Sequence, residues 1–276
     1  MTIPLPRPKK FWGQHFLTHT PSIQKITQNP LILENYDAII EIGPGRGAIT
    51  DILVTKKCPL LLIDIDQECC DYLQQKYPET PIMQADILSL NLEDVLQNFF
   101  QFLKLSHPLK IWAISNLPYN ISVPITRQFL NTPCIQEMRL MYQKEVALKF
   151  IKQKKNSSLY HLFNCYYDIT SLFDLPPSFF SPQPQITSSV LNFCKKETPL
   201  LSWEKKESFE KFLRHLFSSK RKTLQNMLKG LNPTWAYLAL EQLKLTGKER
   251  AEDLPQNEII MLYNHYDSFH QNHFSK

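Results

Sequence analysis

The chain has 276 residues, of which 43% are hydrophobic and 21% charged, and its net charge is +5. That balance excludes a disordered chain, and no apolar run approaches the ~18 residues of a membrane span. The length suffices for a single large domain or for a large and a small one.

Residues 1–20 are rich in proline, then basic, then dense in aromatics through Phe11, Trp12 and Phe16, which predicts a segment folded back over the protein. Its first ten residues carry charge and prolines with no apolar stretch behind them, which argues against a signal peptide. From residue 38 strands and helices alternate. Strands are predicted at 38–42, 60–65, 81–85, 109–114 and 138–142, and helices at 48–55, 67–77, 92–105 and 123–130, with a lysine-bearing helix to about 151. In 92–105 the apolar Leu92, Val95, Leu96, Phe99, Phe100 and Leu103 follow the 3.6-residue period. Two further strands, 166–173 and 186–193, are joined by a proline-rich link over 176–184. The alternation implies a mostly parallel α/β sheet with helices on both faces, and the last pair an antiparallel edge hairpin. Beyond about 196 no strand pattern remains. Phe209, Phe212, Leu213, Leu216 and Phe217 recur at helical spacing, as do Leu224, Met227 and Leu228, and Pro255 opens a final helix through Tyr263. The expected division is a larger domain, 1–198, and a small helical one, 199–276.

Glycine is scarce, 6 in all, yet three stand at alternate positions in Gly43-Pro44-Gly45-Arg46-Gly47. A strand, a tight glycine turn and a helix together let backbone pass close to a nucleotide-like ligand. No Gly-Lys-Ser/Thr follows, so the turn is not a phosphate loop. Asp64, at the end of the second strand, can accept from both hydroxyls of a ribose, which fits a dinucleotide or S-adenosylmethionine. Asp86, just past the third strand, can accept from an adenine amino group or can simply cap the helix after it. Asn116-Leu117-Pro118-Tyr119 follows the fourth strand. The exocyclic amine of adenine is a poor nucleophile because its lone pair is delocalised into the ring. The Asn116 oxygen and a backbone carbonyl of Leu117 or Pro118 can accept its two N–H bonds and steer the nitrogen toward tetrahedral geometry. Tyr119 can stack on a base taken out of its helix.

The six cysteines form no Cys-x-x-Cys and read as reduced thiols, mostly core filler, in a cytosolic protein. His265, His270 and His273 are expected in a frayed polar tail, with no metal site. Charge is segregated: residues 1–10, 144–155 and 199–230 carry +3, +4 and +5, which leaves the rest of the chain net acidic. Lys149, Lys152, Lys154, Lys155, Lys220, Arg221 and Lys222 are therefore candidates for a phosphate-backbone footprint.

Five stretches together resemble the ribosomal RNA adenine dimethyltransferase family, and in particular its bacterial small-subunit branch. They are Trp12-Gly13-Gln14-His15-Phe16-Leu17, Glu41-Ile42-Gly43-Pro44-Gly45-Arg46-Gly47, Asn116-Leu117-Pro118-Tyr119-Asn120-Ile121-Ser122, Gln143-Lys144-Glu145-Val146 and Phe180-Ser181-Pro182-Gln183-Pro184. The resemblance implies a class I, Rossmann-like methyltransferase sheet of seven strands with a small all-helical C-terminal domain that binds the ribosome. It implies S-adenosylmethionine as donor. The implied product is N6,N6-dimethyladenosine at two adjacent adenosines in the 3′-terminal hairpin loop of 16S rRNA within the 30S subunit. By motif, His15 and Leu17 would touch the cofactor, Gly43 and Gly45 would lie against its methionine part, Asp64 on the ribose and Asp86 near the adenine. Asn116 would bridge cofactor and target amine. A cytoplasmic monomer is expected. Trp12, His15, Asp64 and Gln183 stand where Phe, Asn, Glu and Pro are usual in the family. A 23S rRNA methyltransferase of the macrolide-resistance type and a non-catalytic RNA-binding assembly factor are the competing readings.

Overall fold

The structure, a computed structural model, describes residues 4–28, 35–105 and 109–274. It divides into two compact units, one of 1–147 with 170–195 and the other of 148–169 with 196–276. The division is thus not a single cut near 198, because 148–169 belongs with the C-terminal helices.

The first unit is built on a sheet whose strands are β2 (Ala38–Ile42), β3 (Leu60–Asp64), β4 (Ile82–Gln84), β5 (Ile111–Asn116), β6 (Ile135–Gln143), β7 (Tyr167–Leu175) and β9 (Ser188–Lys195). Their order is β4-β3-β2-β5-β6-β9-β7. Pairings from β4 through β6 are parallel and β6 with β9 is antiparallel. Every residue of β2 and β3 is buried, as expected for central strands of a parallel sheet covered on both faces. The last two strands are adjacent as expected, but β9 lies inside and β7 at the edge. Strand order reverses between β3 and β5 on either side of β2. At such a switch point the carboxyl ends diverge and leave a crevice. A second, two-stranded sheet pairs β1 (Phe16–Leu17) with β8 (Phe180–Ser181), which ties the N-terminal segment to the link before β9.

Helices follow the strands: α2 (Thr50–Leu53), α3 (Gln67–Lys76), α4 (Leu92–Phe102), α5 (Ser122–Leu130) and α6 (Lys144–Ala147). Asp66 caps α3 by accepting from the Glu68 N–H, and Asn91 caps α4 through Glu93. The α4 face Leu92, Leu96, Phe99 and Phe100 is buried. Helix α2 is shorter than its pattern because a 3-10 turn, Val54–Lys56, and a left-handed Lys57 (φ 55°) end it. The lysine-bearing helix stops at Ala147 instead of running to 151. An early helix, α1 (Thr20–Thr27), opens on Pro21 in its first turn.

The second unit is helical: α7 (Ser158–Tyr166), α8 (Lys206–Leu216), α9 (Leu224–Leu231), α10 (Pro233–Gln242) and α11 (Gln256–Phe274). Phe209, Phe212, Leu213, Leu216, Leu224, Met227 and Leu228 are buried there with Trp235 and Tyr263. Phe209 meets the Tyr263 ring edge-on at 5.0 Å between centroids. The C-terminal histidines do not lie in a frayed tail, because α11 runs to Phe274. His265 accepts from the Trp235 indole at 2.8 Å. The His273 side chain lies outside what is described.

Candidate active site

The carboxyl ends of β2, β3 and β5 open on a cleft. Its walls come from Trp12 to Phe16, from Gly43, Gly45, Asp64 and Ile65, and from Asn116 to Tyr119. The fold therefore brings together His15, Gly43, Gly45, Asp64, Asn116, Leu117, Pro118 and Tyr119 from four separate segments. Leu17 is buried and lines a smaller neighbouring cavity with Glu41, Pro44 and Ile49. Asp86 is not among the lining residues. It is exposed, and its Oδ1 accepts from the Leu88 N–H at 3.0 Å, which caps the turn Ile87–Ser89 and leaves Oδ2 without a partner among the described residues.

The glycine turn is required by backbone shape and by the protein's own packing. Gly43 and Gly45 have φ of +64° and +56°, where a Cβ is strained. A Cβ on Gly45 would also meet the Phe16 ring at 2.6 Å. The Phe16 ring is held there by Arg46, whose guanidinium lies 4.5 Å from its centroid.

Asp64 is buried and uses both oxygens. Oδ2 accepts from the Gly45 N–H at 3.0 Å and Oδ1 from the Asp66 N–H at 2.9 Å. A carboxylate offers about four acceptor positions, so about two remain for a ligand. Burial pushes its carboxyl above the ordinary value, and the backbone N–H groups of Asp66 and Gly45 partly offset this. Beneath the turn Glu41 is also buried and accepts from the Thr50 hydroxyl at 2.7 Å, and burial raises its pKa to about 8.

Asn116 ends β5, and its Nδ2 donates to the His15 carbonyl at 2.8 Å. A carbonyl can only accept, so this bond fixes which way the amide faces and leaves Oδ1 as an acceptor. Pro118 O is taken by the Ile121 N–H at 3.2 Å, whereas the Leu117 carbonyl has no partner among the described residues. Of the two carbonyls considered from sequence, Leu117 is thus the open one. The Tyr119 ring stacks against His15 at 5.5 Å and 25°, and its hydroxyl shares a 2.7 Å hydrogen bond with Ser188. His15 Nδ1 lies 2.8 Å from the Pro182 carbonyl.

A buried polar anchor also supports the site, and the sequence reading missed it. Asp66 accepts from Lys9 Nζ at 2.7 Å and from Gln14 Nε2 at 3.0 Å, while Arg46 donates twice to the Pro6 carbonyl. These bonds hold residues 6–14 as a wall of the cavity. Burial pushes the Asp66 carboxyl up, but the donors Lys9, Gln14 and the Glu68 N–H outweigh it and hold it below the ordinary range. Its cap position before Gln67-Glu68 was the only signal in the sequence.

All seven basic candidates fall in the second unit, and all are exposed. Lys155 pairs with Glu252 at 2.5 Å; the other six have no ion-pair partner among the described residues. No group of three or more His, Cys, Asp or Glu able to hold a metal occurs among the described residues. None of the six cysteines is in a disulfide, and four of them are buried.

The chain matches the family model "Ribosomal RNA adenine dimethylase" over residues 6–268. It is 34% identical over 273 residues to a Ribosomal RNA small subunit methyltransferase A of Hydrogenobaculum sp., covering 98% of this chain and 97% of the relative. It is 36% identical over 263 residues to the protein of the same name from Flavobacterium johnsoniae, covering 92% and 94%. Among solved structures it is similar to a dimethyladenosine transferase from Plasmodium falciparum, with a TM-score of 0.70, 22% identity and coverage of 92% and 98%. It is also similar to the 23S rRNA methyltransferase ErmE, with a TM-score of 0.69, 20% identity and coverage of 91% and 99%. These two likenesses show the shared Rossmann-like fold, and the sequence matches go further: the chain belongs to the ribosomal RNA adenine dimethylase family.

Proposed function

We propose that this protein transfers methyl groups from S-adenosylmethionine to N6 of two adjacent adenosines in the 3′-terminal hairpin loop of 16S rRNA. The observation that carries the reading is Asn116, a lining residue whose Nδ2 is committed to the His15 carbonyl, which leaves its Oδ1 as an acceptor, next in sequence to the open Leu117 carbonyl. The names of the curated relatives point to the same class of substrate.

The residues fit the cofactor. The cleft has positive-φ glycine backbone on its floor, two spare acceptor positions on Asp64 for ribose hydroxyls, and Trp12 in its wall. His15, Gly43, Gly45, Asp64 and Asn116 would hold it, with Leu17 supporting from behind. Asp86 would offer Oδ2 to an adenine amine, its Oδ1 being taken by the cap. When bound, S-adenosylmethionine supplies a methyl group already activated on a sulfonium.

Asn116 Oδ1 and the Leu117 carbonyl accept the two N6 hydrogens of the target adenine. Those hydrogen bonds strengthen as the nitrogen pyramidalises, so they favour the transition state over the ground state. Tyr119, fixed by His15 and Ser188, offers a ring for the extruded base, and positioning supplies much of the rate. The N6 proton becomes acidic after attack and leaves to water. A monomethylated base still has one N–H for one acceptor, so a second transfer follows on the same geometry.

The seven basic residues of the second unit contact rRNA phosphates, which gives affinity and register, while target choice rests on RNA shape. The protein acts as a cytoplasmic monomer. Among the described residues no helix is long and apolar enough to cross a membrane.

Tritiated-methyl transfer to 30S subunits lacking these methyl groups tests the reading, with naked 23S rRNA fragments in parallel. Label in 30S alone is expected. Label in 23S alone, or none anywhere with cofactor bound, overturns it.

A further inference from the structure

A second, larger and open cleft adjoins the first. The two share Gly13, Gln14, His15 and Tyr119, so the His15–Tyr119 stack borders both. No lysine, arginine, aspartate or glutamate is among the lining residues of the larger cleft, which makes it a poor seat for phosphate. Its lining includes a proline and glutamine surface from the link before β9, together with Gln143. The side-chain amides of Gln143, Gln183 and Gln185 have no hydrogen-bond partner among the described residues, unlike Gln14, which is spent on Asp66 and Lys9. Gln183 is held near the active centre because the neighbouring Pro182 carbonyl is bonded to the His15 ring.

Free amides on an uncharged, proline-flanked surface recognise a base edge. A glutamine amide can donate to N7 and accept from N6–H of adenine, a pairing no other base reproduces. We propose that this cleft holds the nucleotide next to the target, and that Gln183 selects adenine there by pairing with its N6/N7 edge. The inference rests on the RNA-methylating reading above. Where the neighbour is an adenosine that has already been dimethylated, it has no N6–H to give, and Gln183 loses half of its pairing. The enzyme would then distinguish an untouched adenosine pair from a half-modified one.

The test uses the full chain and undermethylated 30S subunits carrying adenosine, guanosine or cytidine beside a single methylatable target. The wild type is expected to methylate the adenosine-flanked target about tenfold more efficiently in kcat/KM, the size of one bidentate base contact. Gln183→Leu, which keeps the bulk and removes both hydrogen-bonding groups, is expected to flatten that preference while its cofactor affinity, measured by calorimetry, stays put. Gln183→Glu, which keeps an acceptor and loses the donor, is expected to fall between. A wild type indifferent to the neighbour, or a Gln183→Leu protein with the full preference, overturns the inference while leaving the methyltransferase reading intact. Absence of transfer to every substrate by the wild type would instead remove the reading beneath it. If Gln183→Leu does not fold, the glutamate variant and the wild-type preference still decide the question.

Discussion

At the scale of single residues, the site depends on which way one amide faces. Asn116→Ala removes the acceptor for the target amine together with the bond to His15 O. We expect kcat to fall by about 100- to 1,000-fold, as when one preorganised hydrogen-bonding group is removed from an active site. Cofactor affinity, read by calorimetry, should change by less than about tenfold. Equal losses in both would assign Asn116 to cofactor binding instead. Glu41 makes a prediction of a different kind. Its pKa is raised by burial from 4.5 to about 8, so across that window the folded carboxyl is protonated while the unfolded one is ionised. The unfolded chain then binds fewer protons, and this group's contribution to stability is full below about 4.5 and is lost as pH rises through about 8. Glu41→Gln stays neutral throughout. Melting curves without cofactor at pH 5 to 8.5 should show the wild type losing ground to Glu41→Gln as pH rises, and parallel curves would refute the buried, neutral Glu41.

At the scale of elements, the glycine turn separates two causes that sequence could not. Scarcity and spacing marked Gly43, Gly45 and Gly47 as a turn under a ligand, and the turn is there. Yet the atom that forbids a side chain on Gly45 belongs to Phe16, and on Gly47 to Leu73, 2.8 Å from a Cβ built there. Gly43 has only Pro118 Cδ at 3.8 Å, an ordinary contact. Gly43→Ala should therefore cost about 1 kcal/mol from its positive φ, and Gly45→Ala measurably more. Adding Phe16→Ala to Gly45→Ala should relieve the clash and leave the conformational part, which urea unfolding of the double-mutant cycle can read. Equal midpoints for the two alanine variants would show that conformation, not Phe16, requires the glycine. The strands were legible because buried apolar runs such as 38–42 and 60–64 admit little else. The turn and Asn116-Leu117-Pro118-Tyr119 were legible because their chemistry is local. Less could be read where distant partners decide. Helix α7 follows the Asn156-Ser157 start signal, and the Ser157 hydroxyl indeed accepts from the Tyr160 N–H, but its apolar run reads equally well as strand. Asp86 satisfied both the adenine-binding and the capping patterns, and its bond to Leu88 N establishes the cap while leaving Oδ2 open. The Lys9–Asp66 anchor spans 57 positions, which no local pattern announces.

At the scale of the whole molecule, the chain leaves the first unit after 147, returns at 170 and leaves again after 195. A protein ended at 198 would keep α7 but lose α8 to α11. Leu159, Leu162, Phe163 and Tyr166, all buried, would then lack the C-terminal part of their own unit. We expect that truncation to be insoluble or to expose dye-binding apolar surface. A soluble, cofactor-binding 1–198 would show that 148–169 is stable without the helices. The basic residues make the other prediction at this scale. Replacing Lys220, Arg221 and Lys222 together by alanine should lower the slope of log affinity for 30S subunits against log salt by up to about 2 to 3, at ~0.7–0.9 per phosphate contact. Lys155→Ala should matter less, since Glu252 already neutralises that charge. An unchanged slope in the triple variant would take 220–222 out of the footprint. The order of the sheet has one more consequence, for the growing chain. Strand β9 sits between β6 and β7, and β8 completes the ribbon with Phe16 and Leu17, so the sheet and the fastening of Phe16 and His15 wait for residues from 180 on. A nascent chain stalled at 175 has its glycine turn, Asp64 and Asn116 but cannot close around a ligand. Cofactor capture by ribosome-bound chains of increasing length should therefore appear abruptly, only after β9 has left the exit tunnel.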